Sequence, residues 1–419
     1  MLHTKLHYTP KSFTPVHEIV YPTNQLRRLL VVTEDESALV AMERHFSALG
    51  WQVDCAFELE EAEALLACRS YSAVVTNLNL SGNYGGAGLR IVSQVRARCP
   101  RTSVFLWTAA RTPELEAAAQ KRGGVDGFLA KPQTLADMAT RWASYRSSNM
   151  PKTCLLDRIL QPGGVSVLFQ PIVDAGTDNW TIHSVECLAR GPKATNIESA
   201  PLLFEYARRK QAEHQIDRAC IAQALRYARA LPSGMRFSVN VHASTLGRER
   251  DFVIYLQELA FQYNLDLARI TIEIVENLPF WDETGFLRNL SALRALGVKI
   301  ALDDVGMGYS NYRMMLDARP DYFKIDRYLV EGSHADYQRQ IILESIVNLA
   351  DKLNATVIAE GITNYADLAL VRSFGLNLMQ GHLFAKAMTA ADLLNNPLHP
   401  IPNTWHYGPV LQPQIALAV

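Results

Sequence analysis

Seven short apolar runs in the second half of the chain each carry polar groups near one end. These are Glu186 in HSVECLA, Asn240 in FSVNVH, Glu273 in ITIEIVE, and Asp303 with Asp304 in KIALDDV. Lys324 in YFKID, Glu360 in TVIAE and Gln380 in LMQGHLF complete the series. A buried strand has no structural need of a carboxylate, because an unpaired charge removed from water is costly. Taken singly, each residue reads as a salt-bridge partner, a turn cap or a solvated lysine. Seven in successive strands read as a converging set. The donors are oxygens with one amine, and no histidine cluster or thiolate set competes with them. Oxygen donors suit Mg²⁺ or Mn²⁺ better than zinc or copper. On this reading Glu186, Asn240, Glu273 and Asp303 hold one ion. Asp304 and Glu360, with Asp303 bridging, hold a second. Two cations roughly 3.5–4 Å apart bind a phosphodiester and lower the pKa of a bound water. Lys324 would position that water or offset developing negative charge.

Such a set needs strands that end side by side. The second half offers eight candidates: VSVLFQPIV, HSVECLA, FSVNVH, ITIEIVE, KIALDDV, YFKID, TVIAE and LMQGHLF, most of them separated by amphipathic stretches. This pattern predicts a closed (β/α)8 TIM-like barrel with its chemistry at the C-terminal ends of several strands. The first half alternates too, through RRLLVV, WQVDCAF, SAVVTNL, TSVFLWTA and GFLAK, each followed by a helical stretch, the last being TLADMATRWASYR. Five βα units predict a doubly wound α/β sheet. The chain therefore divides into an N-terminal extension (1–25), a first domain (26–146), a linker (147–153, SSNMPKT), the barrel (154–398) and a tail (399–419).

Composition narrows the partners. The chain has 419 residues, 48% of them apolar, and a formal net charge of -1, so no broad basic field invites duplex nucleic acid. A small anionic ligand is still compatible with a locally charged site. The six cysteines are scattered without CxxC pairing, which argues against a structural zinc site or a disulfide framework and for a reducing cytoplasm. No apolar run of about 18 residues predicts a membrane span. The start, MLHTKLHYTPKSF, lacks the apolar centre of a signal peptide. His45 and His183 stand alone and read as ordinary residues.

Residues of the second half are similar to a known family. FQPIVD (169–174), VECLAR (185–190), SVNVH (238–242), IEIVEN (272–277), ALDDVGMGYSNY (301–312), FKID (323–326), VIAEG (357–361) and MQGHLFAK (379–386) resemble, in order, the motifs of the EAL domain of cyclic di-GMP phosphodiesterases. The resemblance implies a barrel whose first strand runs antiparallel to the rest. It implies hydrolysis of cyclic di-GMP to linear pGpG with Mg²⁺ or Mn²⁺, in two sites, and Lys324, Glu360 and Glu186 as the catalytic groups. It further implies that Arg190 contacts a substrate phosphate, with Gln170 and Gln380 also at the nucleotide. The loop from Gly306 to Tyr312 matches one that couples metal binding to homodimerisation, and Glu276 matches its anchor. Some positions depart: Cys187 stands in place of alanine, Ala189 of leucine, Val275 and Met307 of threonine, and Thr363 of an acidic residue. These changes bear on loop regulation and turnover rate more than on the metal ligands.

Residues 26–146 resemble a response-regulator receiver domain in degenerate form, with a flavodoxin-like sheet. Thr108 and Lys131 match the switch hydroxyl and the lysine. Asn77 stands where the phosphorylated aspartate belongs, and a carboxamide cannot form an acyl phosphate. The acidic pair of the first strand reads Thr33-Glu34, or Glu34-Asp35 with a one-residue slip. The expectation is no phosphorylation and weak or no Mg²⁺ binding. The half serves either as scaffold or as a dimerisation or partner surface. Two alternatives stand beside the phosphodiesterase. One is a catalytically weak EAL-like sensor or protein-interaction module, which would be expected to lose ligand carboxylates or the lysine. The other is a barrel hydrolase for a different phosphodiester.

Overall fold

In the computed structural model, residues 28–80, 86–108, 112–130, 155–176, 179–275, 282–307, 312–395 and 398 are described. Lys131, Glu276, the linker, the terminal extension, the tail and the last helical stretch of the first half lie outside them. Two compact units are present.

The first unit is built on strands β1 (Arg28–Val32), β2 (Gln52–Ala56), β3 (Ala73–Asn77), β4 (Ser103–Thr108) and β5 (Gly127–Ala130). They pair in the order β2-β1-β3-β4-β5, all parallel. That is the flavodoxin-like order. Helices α1 (Glu36–Ala48), α2 (Leu59–Cys68), α3 (Ala87–Arg98) and α4 (Pro113–Lys121) alternate with them. The starts are set locally. Asp35 accepts the Ala38 N–H at the head of α1, and Thr112 accepts that of Leu115 just before Pro113, each satisfying a donor that the helix itself cannot pair. The core includes Leu29, Val31, Ala38, Met42, Val75 and Trp107.

The second unit is a closed barrel of eight strands: β6 (Ser166–Asp174), β7 (Thr181–Arg190), β8 (Arg236–His242), β9 (Ile270–Val275), β10 (Lys299–Val305), β11 (Tyr322–Ile325), β12 (Thr356–Ala359) and β13 (Leu378–Met379). Strand β6 runs antiparallel to both neighbours, β7 and β13, and the remaining pairs are parallel. The first strand is thus reversed, as expected.

Side chains alternate across each strand. One face carries Val185 and Cys187 of β7, Phe237, Val239 and Val241 of β8, Ile270, Ile272 and Ile274 of β9, and Phe323 and Ile325 of β11. All are buried in the main core with helix residues such as Leu225, Leu256, Phe286, Leu343 and Leu368. Cys187 is therefore a core residue, and burial raises its thiol well above the ordinary range. The opposite parity holds Glu186, Asn240, Glu273 and Lys324, so the apolar outer faces commit the polar side chains to the barrel interior. Beneath them Ile172, Ile358 and Leu378 form a small apolar layer with Tyr322 against it.

The candidate active site

Strand β10 loses register with β11 between Leu302 and Val305. An extra residue in one strand bends it and re-aims side chains. Here the irregularity contains Asp303 and Asp304, and Asp304 sits at φ 52°, a left-handed conformation that aspartate tolerates better than most residues. Gly306 follows at φ 101°, where a Cβ would lie 2.3 Å from Leu329 Cδ1. Two consecutive carboxylates are thereby placed differently. Asp303 turns to Lys324, and Asp304 comes within hydrogen-bonding reach of Asp326.

Lys324 is the centre of the arrangement. Its side chain is 1% exposed. Its Nζ lies 2.7 Å from Glu360 Oε1, 2.8 Å from Glu273 Oε2, 3.2 Å from Asp303 Oδ1 and 3.3 Å from Glu186 Oε2. The four carboxylates come from four separate strands, Glu360 from the residue just past its own. Glu186 is held further. Asn240 Nδ2 donates to its Oε1 at 2.9 Å and Gln380 Nε2 to its Oε2 at 2.8 Å. The same Gln380 amide donates to Gln170 Oε1, and Gln170 Nε2 donates to the carbonyl of Ala385. Arg190 lies at the end of β7, where its guanidinium donates to the carbonyl of Ala189.

The electrostatics follow from this packing. Burial pushes the Glu273 carboxyl well up, and the like charge of Glu186 adds to it. Burial also raises Asp303, against the pull of Lys324, and lifts Glu360 to about 8. Asp304 rises to about 6 through burial and the adjacent Asp303 and Asp326. Glu186 goes the other way. Burial opposes its ionisation, but the Lys324 ammonium and the Asn240 and Gln380 donors hold its carboxyl below the usual range. Neighbouring titratable groups driven apart in this way mark chemical sites more often than structural ones.

The EAL domain family model matches residues 155–387, more than half of the chain. The chain belongs to the EAL family. A response regulator receiver domain model matches residues 29–143. A cyclic di-GMP phosphodiesterase of Pseudomonas aeruginosa is 29% identical over 247 residues, covering 58% of this chain and 41% of that protein. A probable cyclic di-GMP phosphodiesterase of Escherichia coli is 28% identical over 245 residues, covering 57% and 48%. The chain thus spans less than half the length of these two relatives. An EAL domain protein of Listeria monocytogenes shares the fold, with a TM-score of 0.51 at 23% identity over 59% of this chain and 98% of its own.

In this EAL barrel the structure brings together Glu186, Asn240, Glu273, Asp303, Lys324, Glu360, Gln170 and Gln380, and places Asp304 at the edge of the cluster. Asp326 was not singled out from the sequence. It stands two residues beyond Lys324 on the same strand parity, which is the signal that could have found it. Its Oδ1 accepts the Tyr328 N–H.

The donor set fits a hard cation. It is all oxygen, and Asn240 Oδ1 is buried with no hydrogen-bond partner among the described residues. An acceptor left in that state beside carboxylates suits a cation better than another donor. No three His, Cys, Asp or Glu side chains among the described residues form a cation cage by themselves. The carboxylates converge on the ammonium instead. Elsewhere among the described residues, no helix is long and apolar enough to cross a membrane.

The receiver unit has its own polar pocket at the ends of β1 and β3. Asn77 Nδ2 donates to Thr33 Oγ1 at 2.9 Å, and both residues are buried. Asp35 is committed to capping α1. Thr33 thus meets the acceptor position through its hydroxyl.

Proposed function

We propose that this chain hydrolyses cyclic di-GMP to linear pGpG in the barrel. The observation that carries the reading is the set of four carboxylates, from four barrel strands, around one buried ammonium in a chain of the EAL family. In this proposal Glu186, Asn240, Glu273, Asp303, Asp304 and Glu360 hold Mg²⁺ or Mn²⁺, in two sites. When bound, such cations polarise a phosphodiester and make water a nucleophile at neutral pH. The residues do the rest. Lys324, fixed by Glu360 and Glu273, presents an N–H to the attacking water or to the charge that develops on phosphorus oxygens. Water attacks phosphorus and gives up a proton, one bridging P–O bond breaks, and the released ribose oxygen takes up a proton. Arg190 meets a substrate phosphate, while Gln170 and Gln380 align Glu186 and border the nucleotide.

A homodimer, with Glu276 anchoring the loop after Asp304, belongs to the same proposal. So does a protein partner for the receiver unit. The test is hydrolysis of cyclic di-GMP by the full chain with Mg²⁺ or Mn²⁺. Accumulation of pGpG, abolished by Lys324→Ala and by Glu186→Ala, is the expected result. Turnover undiminished in either variant would refute the site. Binding without product in the native chain would make the barrel a sensor.

A further inference from the structure

An ammonium has three N–H groups, and Lys324 faces four carboxylates within 3.3 Å. The geometry is therefore oversubscribed. Glu273 receives a well-formed hydrogen bond at 2.8 Å. Glu360 Oε1, though 2.7 Å from Nζ, forms no hydrogen bond of good angle. Glu186 also has a supply of neutral donors, from Asn240 and Gln380. Four carboxylates within one sphere of this size would repel strongly in a medium less polar than water. Among the described residues, the one positive charge touching all four is Lys324.

We propose that Lys324 is the barrel's internal counter-cation. In cation-free protein its ammonium holds Glu186, Glu273, Asp303 and Glu360 together, and for the same reason it weakens the affinity of the cluster for a divalent cation. This rests on the reading that the cluster takes a divalent cation. An incoming cation finds the carboxylates already gathered, but it must share oxygens with a positive charge that contacts each carboxylate. Lys324 thus separates folding from metal loading. The barrel keeps its shape without the ion, and the ion binds less tightly than the carboxylates alone would hold it.

The test uses the full chain, with Mn²⁺ as probe, and reads stability and binding rather than turnover. Lys324→Met keeps the length of the side chain and removes its charge. In EDTA its thermal midpoint is expected to fall by roughly 10 °C, since breaking a buried charge cluster leaves carboxylates unpaired. Saturating Mn²⁺ should recover most of that loss. Calorimetric titration should show Mn²⁺ binding about tenfold or more tighter than to the native chain. A variant that folds only with Mn²⁺ would support the proposal equally. An unchanged midpoint in EDTA, or Mn²⁺ bound no more tightly by folded Lys324→Met, would overturn it.

If Lys324→Met folds in neither condition, Glu360→Gln decides. Replacing one of the four carboxyl groups by a neutral amide relieves the crowding on the ammonium, so its EDTA midpoint should stay level or rise, and a fall would overturn the proposal. A native chain that binds no Mn²⁺ would instead sink the metal reading, and the EDTA midpoints alone would then judge the counter-cation.

Discussion

Gly381 follows Gln380 at the end of β13, and a Cβ there would lie 2.0 Å from the carbonyl oxygen of Ile362, 2.4 Å from its nitrogen and 2.6 Å from its carbonyl carbon. These are backbone atoms, so no rotamer change relieves the clash. Reaching ordinary contact requires the two segments to part by roughly 1.5 Å. Two hydrogen bonds cross that gap, from the Ile362 N–H to the Gln380 carbonyl and from the Leu383 N–H to the Ile362 carbonyl, each 3.0 Å long. Each contributes about 0.5–1.5 kcal/mol, and overpacking a tight site costs about 1–3 kcal/mol. Gly381→Ala should therefore lose about 2–6 kcal/mol of stability.

The same displacement moves Glu360, two residues before Ile362, and Gln380, the immediate neighbour of Gly381. A misplacement of about 1 Å at a reacting centre costs roughly 100-fold in rate. Urea unfolding and cyclic di-GMP hydrolysis, measured on the same preparation, check both halves. Gly234→Ala is the comparator, because nothing lies within 4 Å of a Cβ there and its φ is ordinary. It should change stability by no more than about 1 kcal/mol in either direction. If Gly381→Ala unfolds and turns over like Gly234→Ala, the close-approach argument is wrong.

Gln380→Met should remove both donors that its amide supplies to Glu186 and Gln170, lowering turnover or Mn²⁺ affinity by about 10–100-fold; native values for both would show that the amide does not orient Glu186. Asp367 is fully buried and accepts hydrogen bonds from the Gly332 and His334 N–H groups, the His334 ring and Asn364. Burial opposes its ionisation, but these donors hold its carboxyl below the usual range. Its contribution to stability is therefore present above the unfolded pKa of about 3.9 and fades as pH falls through the lower folded value. Asp367→Asn should lose about 2–4 kcal/mol at neutral pH, with the difference from native shrinking in urea unfolding below about pH 4; a gap that does not depend on pH would contradict the linkage. In the receiver unit, Asn77→Asp alone should not give stable labelling from a small phosphodonor, because the residue that meets the acceptor side chain, Thr33, brings a hydroxyl and not a carboxylate. Strong labelling of that single variant would refute the account of the pocket.

Much of this protein was legible in its sequence, for a physical reason. Strand periodicity puts Ile270, Ile272 and Ile274 on one face and Glu273 on the other, so the pattern itself implied that the carboxylates point inward. The ordered motifs implied the reversed first strand and the family. Some readings from sequence had to be refined. The motif LMQGHLF contributes only Leu378–Met379 to β13, and Gly381, just past it, packs tightly on the Ile362 backbone. Asp35, one candidate for the acidic pair of the receiver, is the N-cap of α1.

What the tertiary structure alone decided is the partnering. The register shift in β10 sends adjacent aspartates to different neighbours, Asp303 to Lys324 and Asp304 to Asp326. No local pattern encodes that four carboxylates, drawn from residues as far apart as Glu186 and Glu360, share one ammonium. Nor does it encode that the Gln380 amide orients Glu186. Side-chain parity is a property of a single strand, whereas charge balance and hydrogen-bond satisfaction are settled only when closure of the barrel sets the strands beside one another.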